Sequence, residues 1–183
     1  MLHDQSSRAR PRLMADRAKI GAVRGLVLQI NLSPGGLPKR PVAEALLTPL
    51  GFEGDGHAHP DVHGGPAKAL LLGTSEGIDD WIALGFPLFY GALGENLTTR
   101  GLDGRDLRSG MRFRVGQAVI ELSKPRTPCV TLDVYGPALR GMIPGKDAEP
   151  SDPGWAMGGF YASVVEPGWV RAGDIICLVD AAV

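Results

Sequence analysis

Short stretches of hydrophobic and β-branched residues, separated by glycine and proline, make up most of the chain. β-Branched and alternating runs of this kind are typical of strands. Gly116 stands between two of these runs, at a position that predicts a tight hairpin. Seven strands are predicted, over residues 25–30, 43–47, 69–73, 111–115, 117–123, 160–166 and 174–179.

Two other segments have a helical pattern. Residues 74–84 place apolar side chains near one face and begin with hydroxyl residues that can cap the first turn. Residues 130–140 have a weaker pattern, which Gly136 interrupts. Residues 141–159 show no period and are rich in glycine, proline and aspartate, which predicts a surface excursion. With 26 glycines and 15 prolines, regular elements must be short, so a mainly β fold of the barrel type with a few short helices is expected.

Length and charge narrow the possible functions. A chain of 183 residues is expected to form one domain with a sizeable core, over residues 21–183. Residues 1–20 intersperse basic side chains with serine and proline and are expected to be a disordered basic arm. The net charge of −1 gives no broad attraction to nucleic acid, and no apolar stretch approaches the length of a membrane span. Two cysteines in unlike surroundings predict no disulfide framework and a cytoplasmic location.

Two prolines flank a segment that presents a cysteine, Pro125-Arg126-Thr127-Pro128-Cys129. Because proline fixes its own φ and pushes the preceding residue into extended geometry, Cys129 is expected on a stiff, irregular segment. Cys177 lies within an apolar run and is expected to pack as a small hydrophobe. Arg126 and Lys124 are expected to lower the pKa of the Cys129 thiol. Cys129 is therefore the candidate reactive sulfur.

A second segment, residues 54–68, places three of the chain's four histidines among glycines, which let a ligand approach the backbone closely. Its histidines could hold zinc together with a neighbouring aspartate, as in a zinc hydrolase, but no positioned general base accompanies them. Alternatively, basic side chains and glycine amides could bind a phosphate or another oxyanion; the side chains are those of His57, His63 and Lys68. A polar loop with solvated histidines is the third interpretation.

A third segment, residues 94–102, contains an asparagine, two threonines and an arginine at the edge of a short predicted strand. Their amide, hydroxyl and guanidinium groups suit an amide-bearing or pterin-like heterocycle, or a phosphate. A turn capped by the asparagine is the other interpretation of this pattern.

Taken in order along the chain, these segments resemble the MOSC family, named for the C-terminal domain of molybdenum cofactor sulfurase. The resemblance covers about residues 22–180. The order and spacing of the motifs resemble those of the stand-alone bacterial branch of the family, which is similar to proteins that reduce N-hydroxylated bases. The motifs that carry it are His63-Gly64-Gly65-Pro66-Ala67-Lys68-Ala69, Gly94-Glu95-Asn96-Leu97-Thr98-Thr99, Phe113-Arg114-Val115-Gly116, Pro125-Arg126-Thr127-Pro128-Cys129, Gly159-Phe160-Tyr161-Ala162, Glu166-Pro167-Gly168 and Arg171-Ala172-Gly173-Asp174.

The resemblance implies a β-barrel that binds the molybdenum–pterin cofactor, with Cys129 as the thiolate ligand of molybdenum. It implies an oxidoreductase that acts on a small N-hydroxylated substrate and takes electrons from a separate donor protein, since nothing in the chain resembles a flavin or nicotinamide site. A non-catalytic carrier that holds sulfur or cofactor on Cys129 is the alternative. The side chains implied to surround the pterin and phosphate are His57, His63, Lys68, Asn96, Thr98, Thr99 and Arg126.

Overall fold

The computed structural model describes residues 23–56 and 64–180. Its two α-helices are α1 (Ser75–Ala83) and α2 (Pro137–Gly141), and 3₁₀ turns span Pro66–Lys68, Gly104–Asp106 and Val130–Tyr135. The strands, in chain order, are β1 (Arg24–Leu32), β2 (Arg40–Val42), β3 (Glu44–Thr48), β4 (Gly51–Phe52), β5 (Leu70–Thr74), β6 (Leu97–Arg100), β7 (Arg112–Val115), β8 (Ala118–Pro125), β9 (Phe160–Glu166), β10 (Gly168–Arg171) and β11 (Ile175–Asp180).

Seven of these strands close into a barrel, in the order β11-β7-β8-β9-β5-β6-β1. The barrel closes because β1 pairs with β11 through residues 24–26 and with β6 through residues 26–30. All pairs are antiparallel except β5 and β6, which run parallel and are connected through α1. The strand β2 extends the sheet beyond β1, and β10, β3 and β4 form a second, three-stranded sheet. The predicted mainly β barrel with a few short helices is confirmed.

Alternation along the strands decides which side chains fill the barrel. In β7, Phe113 and Val115 are fully buried, whereas Arg112 and Arg114 are exposed on the outer face. The hairpin to β8 turns at Gly116, whose φ of 56° favours glycine, and Val115 pairs with Ala118 across it. The predicted hairpin is therefore confirmed. This pattern yields one apolar core inside the barrel.

A second apolar cluster packs outside the barrel, between α1 and the segment that contains α2. The helix α1 starts after Thr74, whose hydroxyl accepts a hydrogen bond from the Gly77 N–H at 3.3 Å, and it buries Ile78 and Trp81. The weaker helix predicted over residues 130–140 divides into a 3₁₀ turn and α2, separated at Gly136 with a φ of 112°. No helix in the part of the chain that the structure describes is long and apolar enough to cross a membrane.

All seven predicted strands are present, but four short ones were not predicted as such. The strands β2, β4 and β10 have two to four residues each and no alternation that could identify them. The strand β6 falls within the segment for which only the edge of a short strand was expected. The disordered arm predicted for residues 1–20 lies outside the described residues.

The surface excursion predicted for residues 141–159 is wrong in its second half. Trp155 and Ala156 are 6% and 4% exposed and belong to the barrel core. The indole N–H of Trp155 donates to the Leu107 carbonyl at 2.9 Å, and its ring meets that of Phe160 edge-on at 6.2 Å. A single large aromatic residue thus anchors a segment whose composition indicated only loop.

Cys177 also differs from its expected place. In β11 the side chains of Ile176 and Leu178 are buried, so Cys177 points to the opposite face and is half-buried. The apolar run around it therefore reflects a strand with hydrophobic residues on both faces, and the thiol is not packed among the core residues.

Replacing Trp155 by alanine should lower the free energy of unfolding by about 3–5 kcal/mol, because it leaves a cavity in the barrel core and an unpaired Leu107 carbonyl. Trp169→Ala is the matched control, since that ring is 40% exposed on β10. Urea unfolding followed by circular dichroism measures both. Equal losses for the two variants would show that residues 141–159 do not contribute to the core.

Candidate functional site

A cavity of about 390 Å³ lies on the outer side of the barrel wall. Its volume is in the range of small-molecule sites. Apolar side chains, among them Leu37, Leu93 and the exposed Val134, line part of it. Four glycines also contribute, so that backbone forms much of the surface. The polar side chains that line it are those of Lys39, Lys68, Asn96, Arg126, Thr131 and Tyr161.

Arg126 is held in the cavity wall at the end of β8. Its backbone N–H donates to the Gly159 carbonyl at 2.9 Å, and one terminal guanidinium nitrogen donates to the Leu93 carbonyl. The side chain is almost fully buried, and its Nε has no hydrogen-bond partner within residues 23–56 and 64–180. Burial lowers the pKa of Arg126, while Tyr161, Cys129 and Glu95 act in the opposite direction. An arginine keeps its charge in proteins, so the wall presents a cation.

Cys129 does not itself line this cavity, but it directly precedes the 3₁₀ turn Val130–Tyr135, which contributes the lining residues Thr131 and Val134. Its sulfur is 3.1 Å from Oγ1 of Thr131, which lines the cavity. Burial acts to raise the pKa of the Cys129 thiol. The hydroxyl and backbone N–H of Thr131 and the charges of Arg126 and Arg140 outweigh it, so the pKa lies below its ordinary value. These groups therefore favour the thiolate form of Cys129 relative to an ordinary cysteine.

Lys39 and Asp55 form a buried ion pair on another side of the cavity. One Asp55 oxygen also accepts from the Asn96 side-chain amide at 2.8 Å, and the other accepts from the Ser33 N–H at 2.9 Å. Burial lowers the pKa of Lys39, although Asp55 and Glu95 oppose that shift. A buried ammonium with a carboxylate partner retains a defined position, so Lys39 can present its remaining N–H groups to the cavity.

Glu95 lies behind the wall and is almost inaccessible to solvent. One of its oxygens accepts from the Gly91 N–H at 2.5 Å and from the Thr98 hydroxyl at 3.0 Å. Burial raises the pKa of Glu95, and these hydrogen bonds together with the charge of Arg126 counteract the rise. The neighbouring Gly94 has a φ of 81° and lies close to Leu37. A Cβ at this position would collide with the Leu37 side chain.

The structure brings together part of the set of residues implied by the resemblance. Lys68, Asn96 and Arg126 line the cavity, but the Asn96 amide is also bonded to Asp55, the Asn31 carbonyl and the Leu71 N–H. The hydroxyls of Thr98 and Thr99 bond within the barrel wall, to Glu95 and to the Gly73 carbonyl. His57 and His63 lie outside the described residues. Their roles toward a ligand stay predictions.

Among the described residues, no three histidine, cysteine or acidic side chains gather as a metal site. The zinc interpretation depends on histidines between residues 57 and 63, outside the described part of the chain. Asp55, the aspartate before them, is engaged by Lys39, Asn96 and Ser33.

Sequence reasoning missed three polar residues of the cavity, Lys39, Thr131 and Tyr161. Lys39 belongs to no motif, and its contact with Asp55 joins residues 16 positions apart. Tyr161 lies within a motif that carried the family resemblance, yet nothing in the sequence indicated that its side chain faces a cavity. The alternation of β9 was the available signal: because Phe160 and Ala162 fill the core, Tyr161 must point outward.

A family model of the MOSC domain matches residues 59–177, which is more than half of the chain. The chain belongs to the MOSC domain family. The match extends from the last part of the histidine-rich segment to β11, and it includes Cys129, Arg126 and the other cavity residues that follow residue 59.

Three curated proteins are similar to this MOSC domain. The uncharacterised protein YflK of Bacillus subtilis strain 168 is 38% identical over 141 residues, which are 75% of this chain and 60% of YflK. Protein YiiM of Escherichia coli K12 is 44% identical over 97 residues, 50% of this chain and 43% of YiiM. A reductase of Gibberella moniliformis is 32% identical over 138 residues, 71% of this chain and 23% of the reductase. The chain thus spans less than two thirds of each relative.

A solved structure supports the same fold. The crystal structure of YiiM from Geobacillus stearothermophilus matches with a TM-score of 0.67 and 28% identity, over 85% of this chain and 75% of that one. The barrel described above is therefore a MOSC barrel.

The lowered pKa of the Cys129 thiol predicts fast alkylation near neutral pH, where an ordinary cysteine is mostly protonated. In a Cys177→Ser background only Cys129 reacts, and Thr131→Val should slow its reaction with iodoacetamide at pH 7 because the pKa of the thiol rises when the hydroxyl donor is lost. Thr48→Val, which removes a hydroxyl on β3, is the control. Identical pH–rate profiles in all three proteins would contradict thiolate stabilisation by Thr131.

Proposed function

We propose that this MOSC domain binds the molybdenum–pterin cofactor in the cavity, with the Cys129 thiolate as a ligand of molybdenum, and that it reduces N-hydroxylated compounds. The observation that carries the proposal is the partly buried Cys129 thiol, whose sulfur lies 3.1 Å from the hydroxyl of Thr131 in the wall of a cation-lined cavity, in surroundings that lower its pKa. A thiolate is a soft ligand and suits a polarizable metal.

The residues of the cavity fit such a group in size and in charge. The volume of about 390 Å³ can take a large part of a small organic ligand. Arg126 and Lys68 bring positive charge for a phosphate. The buried Arg126 Nε, which lacks a partner among the described residues, would gain one from an acceptor atom of the ligand.

The apolar part of the cavity offers a surface for contact with the N-hydroxylated substrate. Val134 is 73% exposed although it lines the cavity, and it lies on the same 3₁₀ turn that follows Cys129. Together with Leu37 it provides an apolar surface beside the sulfur, against which a flat substrate can exclude water. Substrate would then approach from the side on which the thiol lies.

Reduction of an N-hydroxylated compound breaks one N–O bond, R–NH–OH + 2 e⁻ + 2 H⁺ → R–NH₂ + H₂O. When bound, the cofactor supplies the two-electron redox chemistry. The protein has to orient the ligand through Arg126 and Lys68, keep the Cys129 sulfur deprotonated and deliver protons to the N–O bond. A separate donor protein supplies the electrons, and a reducing cytoplasmic compartment suits the two free thiols.

Similarity to a reductase supports the redox part of the proposal. That similarity covers only 23% of the Gibberella protein, so the activity of the whole relative does not transfer by itself. The proposal therefore depends mainly on the cavity and the thiol.

The test is the molybdenum content and reductase activity of protein made in cells that synthesise the cofactor. Cys129→Ser should lose most of its molybdenum and its activity, because an alcohol at this position does not replace a stabilised thiolate ligand. Cys177→Ser is the matched control, since Cys177 lies on β11, outside the cavity wall. Metal is measured by mass spectrometry, and activity as amine formed from an N-hydroxylated nucleobase with a reduced viologen as electron donor.

Retention of both metal and activity in Cys129→Ser would overturn the proposal. Wild-type protein that carries cofactor, or a persulfide on Cys129, but does not reduce the substrate would support the carrier alternative instead. Circular dichroism of all three proteins shows whether the fold is intact in each comparison.

A further inference from the structure

We propose that Tyr161 is a catalytic residue of this MOSC domain and that its phenol donates a proton to the hydroxyl oxygen that leaves the N-hydroxylated substrate as water. The inference rests on the proposed function. That reaction requires a donor for the proton that joins the leaving oxygen, and none of the residues discussed above has been given this role. It depends on where β9 places the phenol and on which other polar groups line the cavity.

The geometry of β9 directs Tyr161 into the cavity. Phe160 and Ala162 are both fully buried in the barrel core, so the side chain between them points to the outer face. Its register partner on β5, Leu71, faces the same way and lines the same cavity. Tyr161 thus belongs to the barrel wall itself, the most rigid surface available to a catalytic group.

Charged groups from three directions surround the phenol. The Lys68 Nζ lies 5.7 Å from the centre of the Tyr161 ring, from the 3₁₀ turn Pro66–Lys68. Arg126 and Cys129, from the segment after β8, both act on its ionisation, and Lys124 is its register partner across the β8–β9 pair. Tyr161 is therefore close to Lys68 and within electrostatic range of both Arg126 and Cys129.

The protonation states of Tyr161 and Cys129 are complementary. Burial raises the pKa of Tyr161, the negative charge of Cys129 adds to the rise, and Arg126 opposes it. The pKa of Cys129, next to the cavity residue Thr131, is shifted downward. The two shifts are opposite in direction: burial favours the intact phenol of Tyr161, whereas Thr131 and two arginines favour the thiolate of Cys129.

The other polar groups of the wall are less suited to give up a proton. Asn96 has no acidic proton, and Lys68 is assigned above to the phosphate of the ligand. The ammonium of Lys39 is bonded to Asp55, and the Thr131 hydroxyl is bonded to Cys129. The guanidinium of Arg126 does not deprotonate in proteins. Tyr161 has the acidic hydroxyl that can move a proton into the cavity.

The proposed step balances with an external reductant. Two electrons enter from the donor, here a reduced viologen, the N–O bond breaks, and the phenolic proton bonds to the departing oxygen to form water together with the hydrogen already on it. The second proton reaches nitrogen from solvent, and solvent reprotonates the phenolate. Tyr161 thus returns to its starting state after each turnover.

The experiment compares Tyr161→Phe with Tyr90→Phe, each loaded with cofactor. Tyr161→Phe retains the ring beside Lys68 and removes only the hydroxyl, whereas the Tyr90 hydroxyl donates to Asp79 at 3.1 Å, outside the cavity. Loss of a general acid should lower kcat about 100-fold or more. The molybdenum content and KM should stay close to wild type, so that the loss falls on kcat alone.

A second readout needs neither cofactor nor turnover. The chain has three tyrosines, so NMR of protein labelled at tyrosine Cζ gives few signals, and the signal absent from Tyr161→Phe belongs to Tyr161. This signal should remain at the position of a neutral phenol throughout the pH range of the assay. A phenolate signal within that range would overturn the proposal.

The kinetic outcomes separate this inference from the proposed function. If wild type reduces the substrate and Tyr161→Phe does so as fast as Tyr90→Phe, the role of Tyr161 is overturned while the reductase function stands. Loss of molybdenum from Tyr161→Phe would also overturn it, because the residue would then act in cofactor retention. If loaded wild-type protein does not reduce the substrate, both proposals fail.

Discussion

The site depends on the burial of two positively charged side chains, Arg126 and Lys39, in the wall of the cavity. Arg126 and Lys39 are 7% and 6% exposed, and a charge removed from water is costly unless polar groups surround it. Lys39 obtains a carboxylate, because Asp55 is fixed by Asn96 and Ser33. Arg126 has a backbone carbonyl and, within the described residues, an unpartnered Nε. The structure leaves Arg126 under-satisfied where a ligand with acceptor atoms would complete its hydrogen bonding.

The barrel and the second apolar cluster hold this wall in place from two sides. The barrel fixes the backbone of Arg126 through the Gly159 carbonyl and directs Tyr161 outward by strand alternation. The outer cluster includes Leu93, whose carbonyl accepts a hydrogen bond from the Arg126 guanidinium. It also includes Leu132, which is buried in the 3₁₀ turn after Cys129. The thiol is therefore positioned by a short segment that is tied to both hydrophobic units, which is how a partly buried sulfur acquires a defined environment.

The sequence allowed the barrel to be predicted because alternation is a local property. The strand β7, with Phe113 and Val115 inside and arginines outside, shows its faces directly in the order of its residues. Cys129 could likewise be identified from the prolines next to it in the sequence. The Lys39–Asp55 pair and the burial of Trp155 could not be predicted from the sequence. Each depends on contact between segments that only the closed barrel brings together. Thr98 and Thr99 resembled ligand donors, yet the sequence could not show that wall atoms occupy their hydroxyls.

The central claim is that the Cys129 sulfur is bound to molybdenum in this cavity, and the most direct measurement observes that bond. Cys129 is replaced by selenocysteine in a Cys177→Ser background, the protein is loaded with cofactor, and X-ray absorption is recorded at the molybdenum and selenium edges. If Cys129 binds molybdenum, molybdenum–selenium scattering is expected at both edges. A protein that retains molybdenum but shows no selenium neighbour at the metal would contradict it.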